Sequence, residues 1–176
     1  GQVPEQEETA YFSNIIYGFK LKVAKANPIL YGALFLLAIL GVSTQIYMPF
    51  LIIYMQEFLS LANYTIPLAS ILILSSVISV LSGKWIDKFG KIKMLTYFIV
   101  IGALGLFLLY FARSLVFIII AGVLTVASNM IATACINGIV RDFTPKDRSG
   151  HFQGVRMFFY VLFPMAIDPY IGSFVI

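Results

Sequence analysis

Long apolar runs separated by short polar connections make up most of this chain. Four of the runs approach or exceed the ~20 apolar residues that cross a bilayer as a helix, and a fifth lies near the end. The pattern predicts five membrane-spanning helices, at about 28–56, 65–83, 93–112, 114–140 and 155–176. The fold class that follows is all-α, a polytopic membrane helix bundle.

The segment before the first run has a different pattern. Residues 1–10 are polar and acidic and are expected to be disordered. Residues 11–26 place aromatic residues and isoleucines among three lysines, which is typical of an amphipathic helix lying on the membrane surface. We therefore assign residues 1–27 to a linker with an amphipathic segment, and residues 28–176 to the transmembrane bundle. Within the first span, Pro49 predicts a kink.

Composition and charge agree with a membrane protein and orient it. The chain is 60% hydrophobic and only 11% charged, too apolar for a soluble domain of this size. Of its 12 lysines and arginines, all but Arg113 fall before the first span, between the second and third, or between the fourth and fifth. Basic residues mark the cytoplasmic side of membrane proteins. We expect a multi-pass protein of the cell inner (plasma) membrane, with the start of the chain and loops 84–93 and 141–156 in the cytoplasm.

The stretch "SGKWIDKFGKIKM", residues 82–94, interrupts the apolar pattern with five charges. We expect Gly83 to end the second span and Gly90 to form a tight turn with positive φ. The lysines anchor this turn at the membrane face, but Asp87 needs another explanation. Either the acid is simply solvated, or it meets a helix N-terminus or an arginine of the next loop. The available arginines are Arg141, Arg148 and Arg156.

This stretch resembles the signature loop of the major facilitator superfamily, Gly-x-x-x-Asp-Arg/Lys-x-Gly-Arg/Lys-x-Arg/Lys. The matching residues are Gly83, Asp87, Lys88, Gly90, Lys91 and Lys93. The segment 141–156, "RDFTPKDRSGHFQGVR", also resembles that family's loop after the fourth helix. The resemblance covers essentially the whole chain and implies five helices of a six-helix half, with the signature loop acting as a gate.

The same resemblance implies a partner for this bundle, because the family is built from two related six-helix halves. The polar segment before the first span resembles the family's central linker, so we expect the C-terminal half, with a first half as the alternative. The chain stops at "IGSFVI" without a polar tail, and we expect a further helix after it. "TQIYMPFLIIYM" and "DRSGHFQGVRMFFYVLFPMAIDPYIG" resemble sugar–cation symporters of the glycoside-pentoside-hexuronide type.

Polar side chains within the spans are candidates for the substrate or ion pathway. Counting ~1.5 Å per residue places Gln45, Asn129 and Asp168 near mid-membrane. Asn137 lies nearer the cytoplasm, and Tyr47 could stack on a sugar ring. For each residue the alternative is a hydrogen bond or packing contact between helices. The serines of the second span are expected to pack at a helix interface, and the resemblance implies a peripheral third helix.

Asp168 is the residue that bears on coupling. A carboxylate at mid-membrane must be neutral, paired or hydrated, and one that exchanges a proton would suit a proton-coupled carrier. The segment "DPYIG" has Asp where the family often has Gly in Gly-Pro-x-x-Gly, which puts the antiporter signature in doubt. The alternative is that Asp168 lies near the outer surface and is hydrated there.

The sequence thus predicts a secondary active transporter that moves a small solute by proton- or cation-coupled symport of a sugar type. The alternatives are a drug or metabolite efflux antiporter and a structural membrane subunit. No constellation of an intramembrane enzyme is present, and His151 lacks neighbours at metal-ligand spacing, so we expect no enzyme activity, metal or cofactor. The expected partners are the solute, a proton or cation, membrane lipid and the other half, but no nucleic acid.

Overall fold

The computed structural model describes residues 25–58, 63–144 and 155–166. Every regular element in these ranges is helical, which confirms the all-α membrane helix bundle. The helices are α1 (Pro28–Ile53), α2 (Thr65–Phe89), α3 (Lys91–Phe111), α4 (Leu115–Phe143) and α5 (Val155–Ala166). A π-helical turn, Tyr54–Phe58, continues α1, and another, Phe158–Leu162, lies within α5.

Helices α1 to α4 are long and apolar enough to cross a membrane, as the apolar runs predict. The described part of α5 is apolar but shorter. The predicted fifth span, 155–176, continues past the described residues, so its full crossing stays a prediction. The amphipathic helix predicted for residues 11–26 lies almost wholly outside them as well.

The predicted end of the second span at Gly83 is wrong. Helix α2 continues six residues further, to Phe89, and ends at Gly90, whose φ is +88°. A glycine inside a helix costs only about 1 kcal/mol relative to alanine, which flanking helical residues can outweigh. Positive φ cannot be accommodated by a right-handed helix, so Gly90 is the true break, and its predicted conformation is confirmed.

Prolines and a serine define the other helix boundaries. Pro28 opens α1 and Pro67 lies in the first turn of α2, positions where a missing N–H leaves no helical bond unmade. Between α3 and α4, the Ser114 hydroxyl accepts a hydrogen bond from the Phe117 N–H at 3.4 Å and caps α4. Pro49 lies inside α1 as predicted, while the kink it predicts stays a prediction.

The chain divides into two compact units. The first contains residues Gly1–Val42 and Ile139–Ile176. Within it, α1 and α5 approach closely at Gly41, because a Cβ atom there would lie 2.8 Å from Cγ of Pro164 and 3.2 Å from the carbonyl oxygen of Tyr160. The first half of α1 supplies buried apolar residues to this unit, namely Leu30, Ala33, Leu34, Leu37 and Ala38.

The second unit, Ser43–Gly138, has its own apolar core. Its buried members come from the end of α1, from α2, from the α3–α4 turn and from α4, and they are Leu51, Met55, Ile71, Ala112, Ile118 and Val126. Because apolar lipid provides little hydrophobic drive between helices, close packing must hold this unit together.

Small residues provide that packing against α4. A Cβ atom on Gly105 of α3 would lie 2.6 Å from Oγ1 and 2.8 Å from the backbone nitrogen of Thr125. A Cβ atom on Gly122 would lie 2.7 Å from Cδ1 of Ile71 in α2. Helix α4 is the most buried of the spans: half of its most apolar window is buried, against 17% for α3. The low burial of α3 agrees with the peripheral position that the resemblance implies.

The serines of α2 divide between two environments. Ser75 and Ser82 are fully buried, and Ser75 Oγ donates to the Val123 carbonyl of α4 at 3.5 Å. Ser70 and Ser76 instead donate to carbonyls of their own helix. The predicted role at a helix interface therefore fits the buried serines but not Ser70 and Ser76.

Candidate functional site

The charged turn between α2 and α3 is built on Gly90. The Gly90 N–H donates to the Ile86 carbonyl at 2.9 Å and closes α2, while the Gly90 carbonyl accepts from the Met94 N–H and opens α3. One glycine with positive φ thus joins two helices without a longer loop. The last turn of α2 carries Asp87 and Lys88, and the first turn of α3 carries the remaining lysines of the motif.

Asp87 and Lys88 are exposed at the end of α2. The Nζ atom of Lys88 lies 5.5 Å from the ring centroid of its neighbour Phe89. Of the three arginines predicted to meet Asp87, Arg148 lies outside the described residues. The other two, Arg141 (exposed) and Arg156 (half-buried), belong to the first unit. The predicted clasp therefore stays a prediction.

Lys91 is attached to α4, whereas Lys93 is exposed. Lys91 is half-buried, and its Nζ donates to the Gly138 carbonyl at 3.4 Å. The absence of a side chain at Gly138 makes this possible, since a Cβ atom there would lie 3.0 Å from Lys91 Cε and 3.1 Å from Cδ. The side chain of a motif lysine thus lies across the backbone of the fourth helix.

Polar side chains of α1 and α4 meet near the middle of the two helices. Asn129 is the central residue of α4, and its Oδ1 accepts a hydrogen bond from Thr44 Oγ1 at 3.3 Å. Gln45, predicted from the sequence, is exposed and next to Thr44. Because Pro49 has no N–H, the carbonyl of Gln45 also loses its usual helical donor. This part of α1 therefore offers both a side-chain amide and a backbone acceptor.

A second amide lies two turns along α4 from Asn129. Asn137 is half-buried, and its Oδ1 atom is buried without a hydrogen-bond partner among the described residues. Thr133, also half-buried, lies between the two asparagines at spacing four, so all three lie on one helix face. An unpaired buried acceptor costs about 1–3 kcal/mol unless a water or solute donates to it. The face therefore favours a polar occupant.

A cavity of about 540 Å³ lies at the end of the second unit opposite the charged turn. The end of α1 and the end of α3 form its walls. Most of the lining is aromatic or aliphatic, with one acid and one arginine: Tyr47, Phe50, Leu51, Ile53, Tyr54, Glu57, Leu109, Tyr110 and Arg113. Tyr47, a candidate residue from the sequence, therefore lines this cavity. It also lies close along α1 to Thr44, the hydrogen-bond partner of Asn129.

Tyr54 connects two elements at the cavity end of the second unit. Its hydroxyl donates to the Ala112 carbonyl, which follows the last residue of α3. The bond joins the end of α1 to the α3–α4 turn, and both partners belong to the apolar core or pack against it.

Several contributing residues were missed by sequence reasoning. Thr44 was passed over for its neighbour Gln45, although residues 44 and 129 both lie at the centre of an apolar run. Gly138 looked like an ordinary small helix residue. Glu57 and Arg113 are separated by 55 residues, and only the packing of α1 beside α3 brings them to one cavity. Asp168 lies outside the described residues, so its predicted place in the pathway is untested.

Comparison with known proteins gives one family. The family model described as Major Facilitator Superfamily matches residues 5–176, nearly the whole chain. Neither the curated proteins nor the solved structures give a significant match.

Proposed function

The chain belongs to the major facilitator superfamily of membrane transporters, and from that premise we propose that it moves a small solute by alternating access. The match over residues 5–176 is the observation that carries this proposal. Members of the superfamily are transporters and not enzymes, so the chemistry to explain is solute binding and gating. The family's architecture also leads us to propose that this bundle works with a second six-helix half.

The substrate class we propose is a neutral, hydroxylated solute of the sugar type. The middle portions of α1 to α4 carry no charged residue, and their polar groups are amides and hydroxyls. Asn129, Thr44 and Gln45 offer both donors and acceptors, which suit hydroxyl groups. Tyr47, one turn or less from these residues on α1, adds an aromatic surface for a sugar ring. A drug cation would instead favour a carboxylate at that depth.

For coupling, we propose a proton or cation that binds at Asp168. It is the acid that the sequence positions within an apolar run, and a carboxyl group that takes up and releases a proton there is what a proton-coupled carrier needs. A symporter would use this change to link solute binding to the ion gradient. Symport, in which the solute and the ion move in the same direction, is part of the same proposal.

The charged turn at Gly90 supplies the gate in this proposal. Asp87 pairs with a basic residue of loop 141–156 in one state and is released in the other, while Lys91 remains on α4 through Gly138. The turn and that loop lie on the cytoplasmic side of the inner membrane, as the lysine and arginine distribution predicts.

Counterflow in proteoliposomes tests the substrate class. We expect a panel of sugars to exchange and a panel of cationic dyes not to. Asn129→Ala should lower sugar exchange about 2- to 10-fold, the cost of a lost neutral hydrogen bond. Dye exchange without sugar exchange would establish the efflux antiporter instead.

Thr44→Val sharpens the same test, because it removes the hydroxyl bonded to Asn129. Thr96→Val is its matched control: Thr96 lies on α3, is exposed, and within the described residues donates to the Ile92 carbonyl of its own helix. We expect exchange to fall in the first variant and stay within about twofold of wild type in the second. Equal exchange by both variants would remove Thr44 and Asn129 from the pathway.

A further inference from the structure

The cavity between the ends of α1 and α3 suits a hydroxylated solute, at a place distinct from Thr44 and Asn129. We propose that it is an outer binding site, which a sugar-type solute occupies before it reaches the polar groups at the middle of α1 and α4. The inference rests on the proposed function and adds a second site to it.

The position of the cavity suits the first contact of a solute with the bundle. Four residues line it at spacings of three and four along α1 and so form one stripe on that helix: Tyr47, Phe50, Tyr54 and Glu57. The stripe begins one turn after Thr44, and at ~1.5 Å per residue Glu57 lies ~20 Å from Thr44 along the helix. This end is opposite the charged turn, which the lysine and arginine distribution predicts to be cytoplasmic. A solute from outside therefore meets the stripe before Thr44.

Aromatic rings give the cavity flat apolar surfaces, which suit the C–H face of a sugar ring. Three members of the stripe are aromatic, and Tyr110 of α3 adds a fourth ring to the lining. Tyr110 is 78% exposed and Phe50 39% exposed, so a ligand can reach both rings. The volume of about 540 Å³ falls within the roughly 300–1,000 Å³ of small-molecule pockets.

Glu57 supplies a polar group that fixes the orientation of a sugar. The residue is exposed at the cavity, and among the described residues its carboxylate forms no hydrogen bond or ion pair. The two oxygens of a carboxylate accept hydrogen bonds from neighbouring hydroxyls, and the charge strengthens each bond. Glu57 also belongs to the π-helical turn Tyr54–Phe58, a rare structure that is frequent at functional sites.

The charges in the lining favour a neutral solute over an ion. Arg113 lines the same cavity, and it already holds an interaction of its own, so the carboxylate of Glu57 is the group left for a ligand. An organic cation at Glu57 would lie in the same cavity as a guanidinium, and an anion would meet the carboxylate itself, so either ion encounters its own sign of charge. A neutral ring with hydroxyl groups avoids both penalties.

Protection of an introduced cysteine measures binding at this cavity without measuring transport. Ile53 lines the cavity and is 42% exposed, so Ile53→Cys should react with a membrane-impermeant maleimide in intact cells. We expect glucose, xylose or lactose, whichever exchanges in counterflow, to slow that reaction. Sorbitol, which has hydroxyls but no ring, should slow it less. Asn63→Cys, in the exposed turn before α2, is the control and should react equally fast with and without sugar.

Second substitutions in the Ile53→Cys protein separate the outer site from the central one. Glu57→Gln should raise the half-protecting sugar concentration about tenfold, the value of a hydrogen bond to a charged group. Gln56→Ala, an exposed neighbour in the same π-helical turn, is the matched control and should stay within about twofold. Asn129→Ala should retain protection although it lowers exchange, because it belongs to the central site.

Three results would overturn the outer site and leave the proposed function in place. These are sugar exchange without reaction or protection of Ile53→Cys, equal protection with Glu57 and with Glu57→Gln, and protection by tetramethylammonium as strong as by sugar. The last would assign the cavity to an organic cation. Absence of all sugar exchange would instead remove the proposed sugar substrate and the outer site together. Thermal unfolding of Glu57→Gln should match wild type, because Glu57 is exposed.

Discussion

The two ends of α3 differ in the groups that surround them. At its start, one glycine makes the whole connection to α2, and charged side chains surround it. At its end, a three-residue turn leads into α4, the Tyr54 hydroxyl is bonded to the Ala112 carbonyl, and a largely apolar cavity opens beside it. The first end has charges that could form and break pairs as the protein changes state. The second end has fixed packing and a space for a ligand.

The charged end of α3 is therefore suited to a change of state, and the packed end is suited to holding the helices in place. Exposed charges exchange partners at small cost, because water replaces what a pair loses. A hydrogen bond and an apolar core in lipid have no such replacement, so they hold one arrangement. A substitution at the charged end is therefore expected to alter transport more than stability, and a substitution at the packed end the reverse.

Asp87→Ala is the largest effect we expect. Loss of a gating pair worth a typical coupling free energy of 1–3 kcal/mol should lower transport about 5- to 150-fold. Membrane insertion and thermal stability should stay near wild type, because Asp87 is exposed. Counterflow and a melting curve on the same preparation measure both quantities.

Lys84→Ala provides the control for this experiment. Lys84 is exposed on the same helix but lies outside the motif positions. Its transport should stay within about twofold of wild type. Wild-type transport by Asp87→Ala would remove the gating role from the charged turn.

Gly105→Ala probes the packing of α3 on α4, away from both ends. The new methyl group would lie 2.8 Å from the Thr125 backbone nitrogen, which cannot move aside as a side chain could. We expect a loss of about 1–3 kcal/mol in the free energy of unfolding. Gly32→Ala is the matched control, since a Cβ atom there meets nothing within 4 Å. Equal melting temperatures for the two variants would contradict the close contact.

Gly90→Ala compared with Gly83→Ala separates the two glycines of the motif. Alanine at Gly90 must adopt φ +88° and ψ +147°, a conformation that only glycine adopts easily, or distort the turn, at a cost of about 1–3 kcal/mol. Alanine at Gly83 enters a continuous helix with open space around it and should stabilise α2 by about 0.5–1 kcal/mol. Chemical or thermal unfolding in detergent measures the pair. If Gly83→Ala were the more destabilising of the two, the helix would end where the sequence first suggested.

Tyr54→Phe is the smallest expected change. It removes the bond to Ala112 and should cost about 0.6 kcal/mol, the average for such bonds in membrane proteins. Tyr110→Phe, an exposed tyrosine of the same cavity, serves as the comparison and should cost less. The two melting temperatures would coincide if the Tyr54 bond did not hold the end of α1.

The sequence predicts the four long helices well because an apolar run of sufficient length has few alternatives to a membrane helix. The positive φ of Gly90 is also predictable, because a glycine between charged residues is typical of a tight turn. Gly83 misled because a glycine can end a helix or continue it, and the choice depends on its neighbours. The pairing of Thr44 with Asn129 could not be predicted, since it depends on the rotation of α1 against α4. The same holds for Glu57 and Arg113, whose proximity is a property of packing alone.

Accessibility of engineered cysteines from outside intact cells decides whether the charged end is the cytoplasmic end. Cys135 is the single native cysteine and is fully buried, so the background should be low. With a membrane-impermeant maleimide, Asn63→Cys, in the exposed turn before α2, should label in intact cells. Lys88→Cys should label only after the membrane is opened. Labelling of Lys88→Cys in intact cells would contradict the orientation and, with it, a cytoplasmic gate at Gly90.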